Sequence, residues 1–207
     1  MNDIYVYEKD IWEQGFLVLG TDEVGRGPMA GPLVAASVVL PNNCFIEGIN
    51  DSKKLSPKKR DKLFEVISNL ALDIQIAFID EKTIDKINVY QASKKAMLDC
   101  ISKSKISFNY VLSDAMPLEG NFTNIPLIKG DQKSASIAAA SIIAKVTRDR
   151  YMIELDALYP QYAFKKHKGY VTKEHLRNLE EFGPCCIHRL SYSPVANIRK
   201  KYKSTLK

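Results

Sequence analysis

Apolar residues along this chain follow two periodicities. Short unbroken runs, "FLVL" over Phe16–Leu19 and the valine-rich "LVAASVVL" over Leu33–Leu40, are bounded by Gly or Pro and predict two buried strands that pair with each other. "DIQIAFID" (Asp73–Asp80), "YVLSDA" (Tyr110–Ala115) and "IPLIKGD" (Ile125–Asp131) continue the strand pattern, and each carries an acid at or near its end. Between these runs the spacing turns helical. Ser56 is expected to cap a helix with Pro57 at its first position and Leu63, Val66, Ile67 and Leu70 on one face. "TIDKINVYQASKKAMLDCISKS" repeats apolar residues at helical spacing, and a long helix of small residues runs from about Ser134 to Tyr159, ended by Pro160. "TKEHLRNLEEF" predicts a last helix stopping at Gly183, and the basic tail "IRKKYKSTLK" reads as uncapped and frayed.

Strands alternating with helices predict an α/β fold, and the hairpin-like first pair predicts a mixed sheet rather than a purely parallel one. The 207 residues, 45% of them hydrophobic, suffice for one domain or one domain with a small appendage. The net charge of +6 suits a polyanionic partner without requiring one. Cys44, Cys100, Cys185 and Cys186 form no C-x-x-C pair, and His167, His175 and His188 fit no zinc spacing, so neither a disulfide framework nor a zinc ribbon is expected. With no signal core at the start and no spanning apolar window, the expectation is a soluble protein of the reducing cytoplasm, with no membrane association.

Candidate chemistry sits at the ends of the strand-like runs. Asp22 with Glu23, Asp114 and Asp131 lie in places where carboxylates are costly unless a cation receives them. If the strands are neighbours, these acids converge into an oxygen-rich cage suited to Mg²⁺ or Mn²⁺. Alternation along a strand would send Asp22 and Glu23 to opposite faces, and Gly25 is expected to let the backbone leave strand geometry at Glu23. Taken one at a time, each acid could equally be a solvated turn residue. "GDQKSAS" places Lys133, Ser134 and Ser136 where a helix N-terminus could bind phosphate, the alternative being that Ser134 is simply the N-cap. "KKHKGY" (Lys165–Tyr170) interleaves bases with an aromatic, a pattern for backbone contact and stacking, or else a solvated face.

The ordered set "GTDEVGRGPMAGP", "NDSKKLS", "SDAMPL", "KGDQKSASIAAASIIAKVTRDR", "YPQYAFKKHKGYVTKEH" and "GPCCIHRLSY" resembles the bacterial ribonuclease HII, or type 2 ribonuclease H, family from about Gly15 to Val195. The resemblance implies a ribonuclease H-like mixed β-sheet flanked by helices, residues 1–160, with a small C-terminal helical part and basic tail, 161–207, completing the substrate groove. It implies an endoribonuclease that cleaves the RNA strand of RNA–DNA hybrids and the 5′ side of single ribonucleotides in duplex DNA, leaving 3′-OH and 5′-phosphate. Two divalent ions, Mg²⁺ or Mn²⁺, would be held by Asp22, Glu23, Asp114 and Asp131. Gly25, Arg26 and Gly27 would read the ribose 2′-OH, and Tyr170 would pack on the sugar next to the scissile phosphate. Lys53, Lys168, Ser134, Ser136 and Arg189 would contact phosphates. Leu190 and Tyr192 depart from the family's last motif, no sliding-clamp motif follows Tyr192, and a monomer is expected. Rival readings are a resolvase-like nuclease of the same fold, told apart by cleavage of all-DNA substrates, and a non-catalytic RNA-binding module, which leaves the clustered acids unexplained.

Overall fold

The structure, a computed structural model, describes residues 3–205. Five strands form one sheet in the order β3-β2-β1-β4-β5: β1 (Val18–Val24), β2 (Leu33–Val39), β3 (Asp73–Ile79), β4 (Tyr110–Asp114) and β5 (Thr123–Leu127). β1 pairs antiparallel with β2 and parallel with β4, which pairs parallel with β5, so the sheet is mixed as expected. All seven residues of β2 are buried, which is why its sequence is apolar apart from Ser37 and shows no alternation.

The helices are α1 (Val6–Trp12), α2 (Pro57–Leu70), α3 (Glu81–Ile87), α4 (Val89–Ser102), α5 (Ala135–Leu158), α6 (Phe164–His167), α7 (Lys173–Phe182) and α8 (Ser193–Thr205). Ser56 caps α2 by accepting the Lys59 N–H, and Thr172 caps α7 by accepting that of His175. Leu63 and Ile67 are the residues of α2 that become fully buried, whereas Leu70 is exposed. The helical stretch after Asp80 is broken in two at Asn88, whose φ of 65° cannot continue a right-handed helix.

Two compact units divide the chain. The first takes the chain as far as Val24, with Val34–Phe78 and Ser93–Val146; the second takes Gly25–Leu33, Ile79–Ala92 and the chain from Thr147 onward. In the first unit, the small side chains of the N-terminal half of α5 lie against the sheet. A Cβ on Gly20 would come within 2.2 Å of the Ser136 carbonyl carbon, so glycine in β1 is what admits the helix backbone there. The second unit has its own apolar clusters, one built around Met152, Tyr162 and Phe164, the other around Met29, Leu179, Val195 and Ile198.

That last cluster corrects the expectation of a frayed tail for its described part; Leu206 and Lys207 lie outside the described residues. Val195 and Ile198 share one face of α8 and are buried, so the basic segment continues a helix anchored by its apolar side. Among the described residues no helix is long and apolar enough to cross a membrane, and the four cysteines are free.

Candidate active site

β1 and β4 are parallel neighbours with Thr21 opposite Ser113, so the next residues, Asp22 and Asp114, come side by side where the pairing of these two strands ends. Asp131 arrives differently. It does not end a strand: β5 stops at Leu127, the chain turns through Lys129 in the left-handed region (φ 57°), and Asp131 sits on a single 3₁₀ turn, Gly130–Gln132. The Gly130 N–H donates to Asp114 Oδ1 at 2.7 Å, which ties this turn to β4. A Cβ on Gly130 would lie 2.6 Å from Ile137 Cδ1, so a side chain there would have to displace the end of Ile137.

The outcome is that Asp22, Asp114 and Asp131 each offer a carboxylate oxygen within 4.8 Å of the others. Asp22 and Asp131 are buried. Burial, with the nearby negative charges of Glu23 and Asp114, holds the Asp22 carboxyl well above its ordinary range. Burial also raises Asp131, helped by Asp51 and Asp114 and opposed by Lys53. Lys53 Nζ lies 3.4 Å from Asp131 Oδ2 with most of its side chain in solvent. Its own pKa is lowered by partial burial but raised overall by Asp131, Asp22 and Asp51. One ammonium does not balance three clustered carboxylates. Hard oxygen donors in mutual repulsion fit a divalent cation of the Mg²⁺ or Mn²⁺ kind.

Glu23 is not part of this trio. The expectation that Gly25 would release it from strand geometry is corrected: β1 runs on to Val24 and Glu23 stays paired in register with Ala35, so it alternates away from Asp22.

In the second unit, Gly25 takes φ 99°, and a Cβ there would meet Arg148 Nε at 2.5 Å and the Pro32 carbonyl oxygen at 2.9 Å. Gly27 is exposed and open: a Cβ would meet only Tyr170 Cε1, at 3.8 Å. Arg26 is exposed, and its carbonyl accepts from Arg189 Nη1 and the Tyr192 hydroxyl. Tyr170 is partly exposed, with the Arg148 guanidinium over its ring at 5.8 Å.

A ribonuclease HII family model matches residues 19–195. The chain belongs to the ribonuclease HII family. It is therefore an endoribonuclease, a hydrolase that acts on nucleic acid, and the family implies a divalent metal cofactor. Among its relatives, ribonuclease HII of Listeria innocua is 52% identical over 199 residues, 96% of this chain and 76% of that protein. Ribonuclease HII of Acholeplasma laidlawii is 49% identical over 201 residues, 96% of this chain and 98% of that protein. The crystal structure of ribonuclease H2 from Pyrococcus horikoshii superposes with a TM-score of 0.77 at 27% identity, covering 90% of this chain and 99% of that one. Ribonuclease HII of Archaeoglobus fulgidus, solved in complex with PCNA, gives 0.72 at 25% identity over 88% of this chain and 96% of that one.

Three residues that the family resemblance assigned to phosphate are buried and bonded to other groups of the protein. Ser134 and Ser136 are buried at the N-terminus of α5, where the carboxylate of Glu8 accepts from the Ser134 hydroxyl at 2.5 Å and the Ser136 N–H at 2.9 Å. Ser134 Oγ also caps the Ile137 N–H, and the carboxylate of Glu8 lies at this positive helix end. Arg189 is fully buried and donates to the carbonyls of Gly31 and Arg26. Lys53 and Lys168 are not enclosed in this way, although Lys168 Nζ donates to the Lys165 carbonyl.

Sequence reasoning missed Glu8 and Arg148. Arg148, also fully buried, donates to the carbonyls of Pro32, Ala30 and Lys168 at 2.8, 3.2 and 2.9 Å, and burial lowers its pKa to about 10. The signal for Arg148 was a charged residue placed among buried positions of a long helix. For Glu8 there was none, because its partner lies 126 residues away.

Proposed function

We propose that the chain is a metal-dependent endoribonuclease that cuts the RNA strand of RNA–DNA hybrids and the 5′ side of single ribonucleotides embedded in duplex DNA, leaving 3′-OH and 5′-phosphate. The observation that carries this reading is the trio Asp22, Asp114 and Asp131, with carboxylate oxygens within 4.8 Å of one another, in a chain of the ribonuclease HII family.

These three side chains would hold the cations, while Glu23, which alternates away from them, adds negative charge near Asp22. A divalent ion held there, Mg²⁺ or Mn²⁺, would supply Lewis-acid activation of water and charge neutralisation at the leaving 3′ oxygen. Asp114 is kept in place by the Gly130 N–H, and Lys53 offsets part of the cluster's charge and meets the phosphate backbone. The backbone of Gly25–Gly27, open at Gly27, reads the ribose 2′-OH, and Tyr170 packs on the sugar 3′ of the cut. With water as nucleophile, the 2′-OH serves recognition and no cyclic phosphate forms. The substrates are RNA–DNA hybrids and ribonucleotide-containing DNA in the cytoplasm.

The test is incubation of a DNA duplex carrying one ribonucleotide with Mg²⁺ or Mn²⁺, mapping the cut and its end chemistry. A 5′-side cut with a 3′-OH end is expected. Cleavage of an all-DNA duplex or junction, or a 2′,3′-cyclic phosphate product, would overturn the reading.

A further inference from the structure

The loop that carries Tyr170 is held by several directional contacts within the second unit. Lys168 and Gly169 are both left-handed, with φ of 52° and 83°, and a Cβ on Gly169 would fall 2.3 Å from the Ala30 carbonyl oxygen. Three successive carbonyls are each claimed by a different element. That of Lys168 accepts from Arg148 Nη1 at 2.9 Å, that of Gly169 from the Met29 N–H at 2.9 Å, and that of Tyr170 bonds His175 Nδ1 at 2.9 Å.

The third contact is set by a chain of histidines whose protons can be assigned one after another. The Cys185 N–H donates to His188 Nδ1 at 3.0 Å, so this nitrogen carries the lone pair and the ring hydrogen is on Nε2. His188 Nε2 lies 3.1 Å from His175 Nε2 and therefore donates to it. His175 must then carry its hydrogen on Nδ1, where it donates to the Tyr170 carbonyl. His167 stacks on His175 with ring centroids 4.3 Å apart and planes 13° from parallel, and its Nδ1 accepts the Gly169 N–H at 3.3 Å. Both His175 and His188 are buried. Burial lowers His175 to about 4 and His188 to about 3, so the neutral tautomers persist at ordinary pH.

We propose that His175, its tautomer set by His188, is the positioning residue for Tyr170: it fixes the backbone from which the aromatic ring meets the sugar, and so tunes preference for a ribose–deoxyribose junction. This rests on the reading of Tyr170 given under Proposed function. His175 touches no substrate in this scheme and acts through the Tyr170 carbonyl alone.

The experiment compares kcat/KM for a single embedded ribonucleotide with that for a long RNA–DNA hybrid, as a ratio, at pH 8 with Mg²⁺. The proteins are wild type, Tyr170→Ala, His175→Leu, His175→Asn and the Tyr170→Ala/His175→Leu double variant. Asn places an amide donor near the position of Nδ1, so His175→Asn should retain the ratio, whereas His175→Leu should lower it about tenfold, as expected for a small displacement of a positioning group. In the Tyr170→Ala background the leucine change should lower the ratio no further. Should His175→Leu show no cooperative melting transition, His175→Gln replaces it, keeping a polar group toward His188 while withdrawing the donor from Tyr170.

A Tyr170→Ala ratio that falls while His175→Leu melts lower but keeps the wild-type ratio would overturn the positioning role and leave the Tyr170 reading standing. Additive losses in the double variant would do the same. A ratio unchanged by Tyr170→Ala would overturn the Tyr170 reading and the inference with it.

Discussion

The carboxylate of Glu8 on α1 receives the hydroxyl hydrogen of Ser134 at 2.5 Å and the N–H of Ser136 at 2.9 Å, closing the N-terminus of α5 with an acid from the other end of the chain. Ser134 is in turn bonded through its N–H to the Gly130 carbonyl, and the Gly130 N–H holds Asp114. Removing the acid leaves buried donors unmet. Glu8→Ala should cost about 2 kcal/mol, within the range for unsatisfied buried groups, and lower Tm by roughly 4–8 °C for a chain of this size. Thermal melting checks it; an unchanged Tm would mean water replaces the carboxylate.

Asp22→Asn, Asp114→Asn and Asp131→Asn should each abolish most Mg²⁺-dependent cleavage while remaining folded. Since burial and neighbouring acids hold the Asp22 carboxyl above its ordinary range, its ionised form opposes folding near neutral pH. Without metal, Asp22→Asn should therefore melt above wild type, and added Mn²⁺ should raise Tm for wild type far more than for the variant. Near-normal cleavage by Asp22→Asn would sink the metal-site assignment.

Gly25 and Gly27 should answer differently to the same substitution. Gly25→Ala forces a Cβ to within 2.5 Å of Arg148 Nε at φ 99°, and should destabilise by about 3 kcal/mol or more. Gly27→Ala meets only Tyr170 Cε1 at 3.8 Å and should leave Tm within about 1 °C. Any loss of cleavage by Gly27→Ala thus reports on substrate approach. Melting and single-turnover rates for both variants separate the two effects.

His175 and His188 sit below the ordinary histidine value of 6.5, at about 4 and about 3. Between pH 6.5 and those values the unfolded chain binds the protons and the folded chain does not. Their contribution to stability is therefore complete above pH 6.5 and is lost as pH falls through about 4 and then 3. The stability gap between wild type and His175→Gln should narrow as pH falls from 6.5 to 4, because over that range the His175 ring alone costs wild type about 1.4 kcal/mol per pH unit. Urea unfolding at several pH values measures the gap; a constant gap would contradict neutral burial of the ring.

Lys53 and Arg189 separate phosphate contact from scaffolding. Lys53→Ala should weaken binding of every duplex and reduce the slope of log K against log salt by about 0.9, one phosphate's worth. Arg189→Met, which strips donors from the Gly31 and Arg26 carbonyls, should instead cost about 3 kcal/mol or more of folding stability. Salt titrations of both variants, alongside melting curves, would show the reverse if Arg189 were the phosphate ligand.

Local pattern by itself determined the five strands, helices α2, α5 and α7 and the helical stretch that splits into α3 and α4, the mixed α/β sheet and the place of Asp22 and Asp114, but not helices α1, α6 and α8. An apolar run must be buried, and an acid that ends such a run is carried to the sheet edge with it. The ordered motifs determined the family. What local pattern could not decide was which partner each polar group would meet. Asp131 reaches the trio through a left-handed turn at Lys129, and Glu23 stays in register opposite Ala35 because β1 continues to Val24. Ser134 turns inward to Glu8, Arg189 turns to the Gly31 carbonyl, and of three histidines that fit no zinc spacing, His188 and His175 pass their hydrogens toward Tyr170 while His167 stacks on His175. Burial of an apolar face follows from the periodicity of a few neighbouring residues. The partner of a buried charge or hydroxyl is chosen by whichever distant group the finished packing brings within about 3 Å, and only the tertiary structure holds that information.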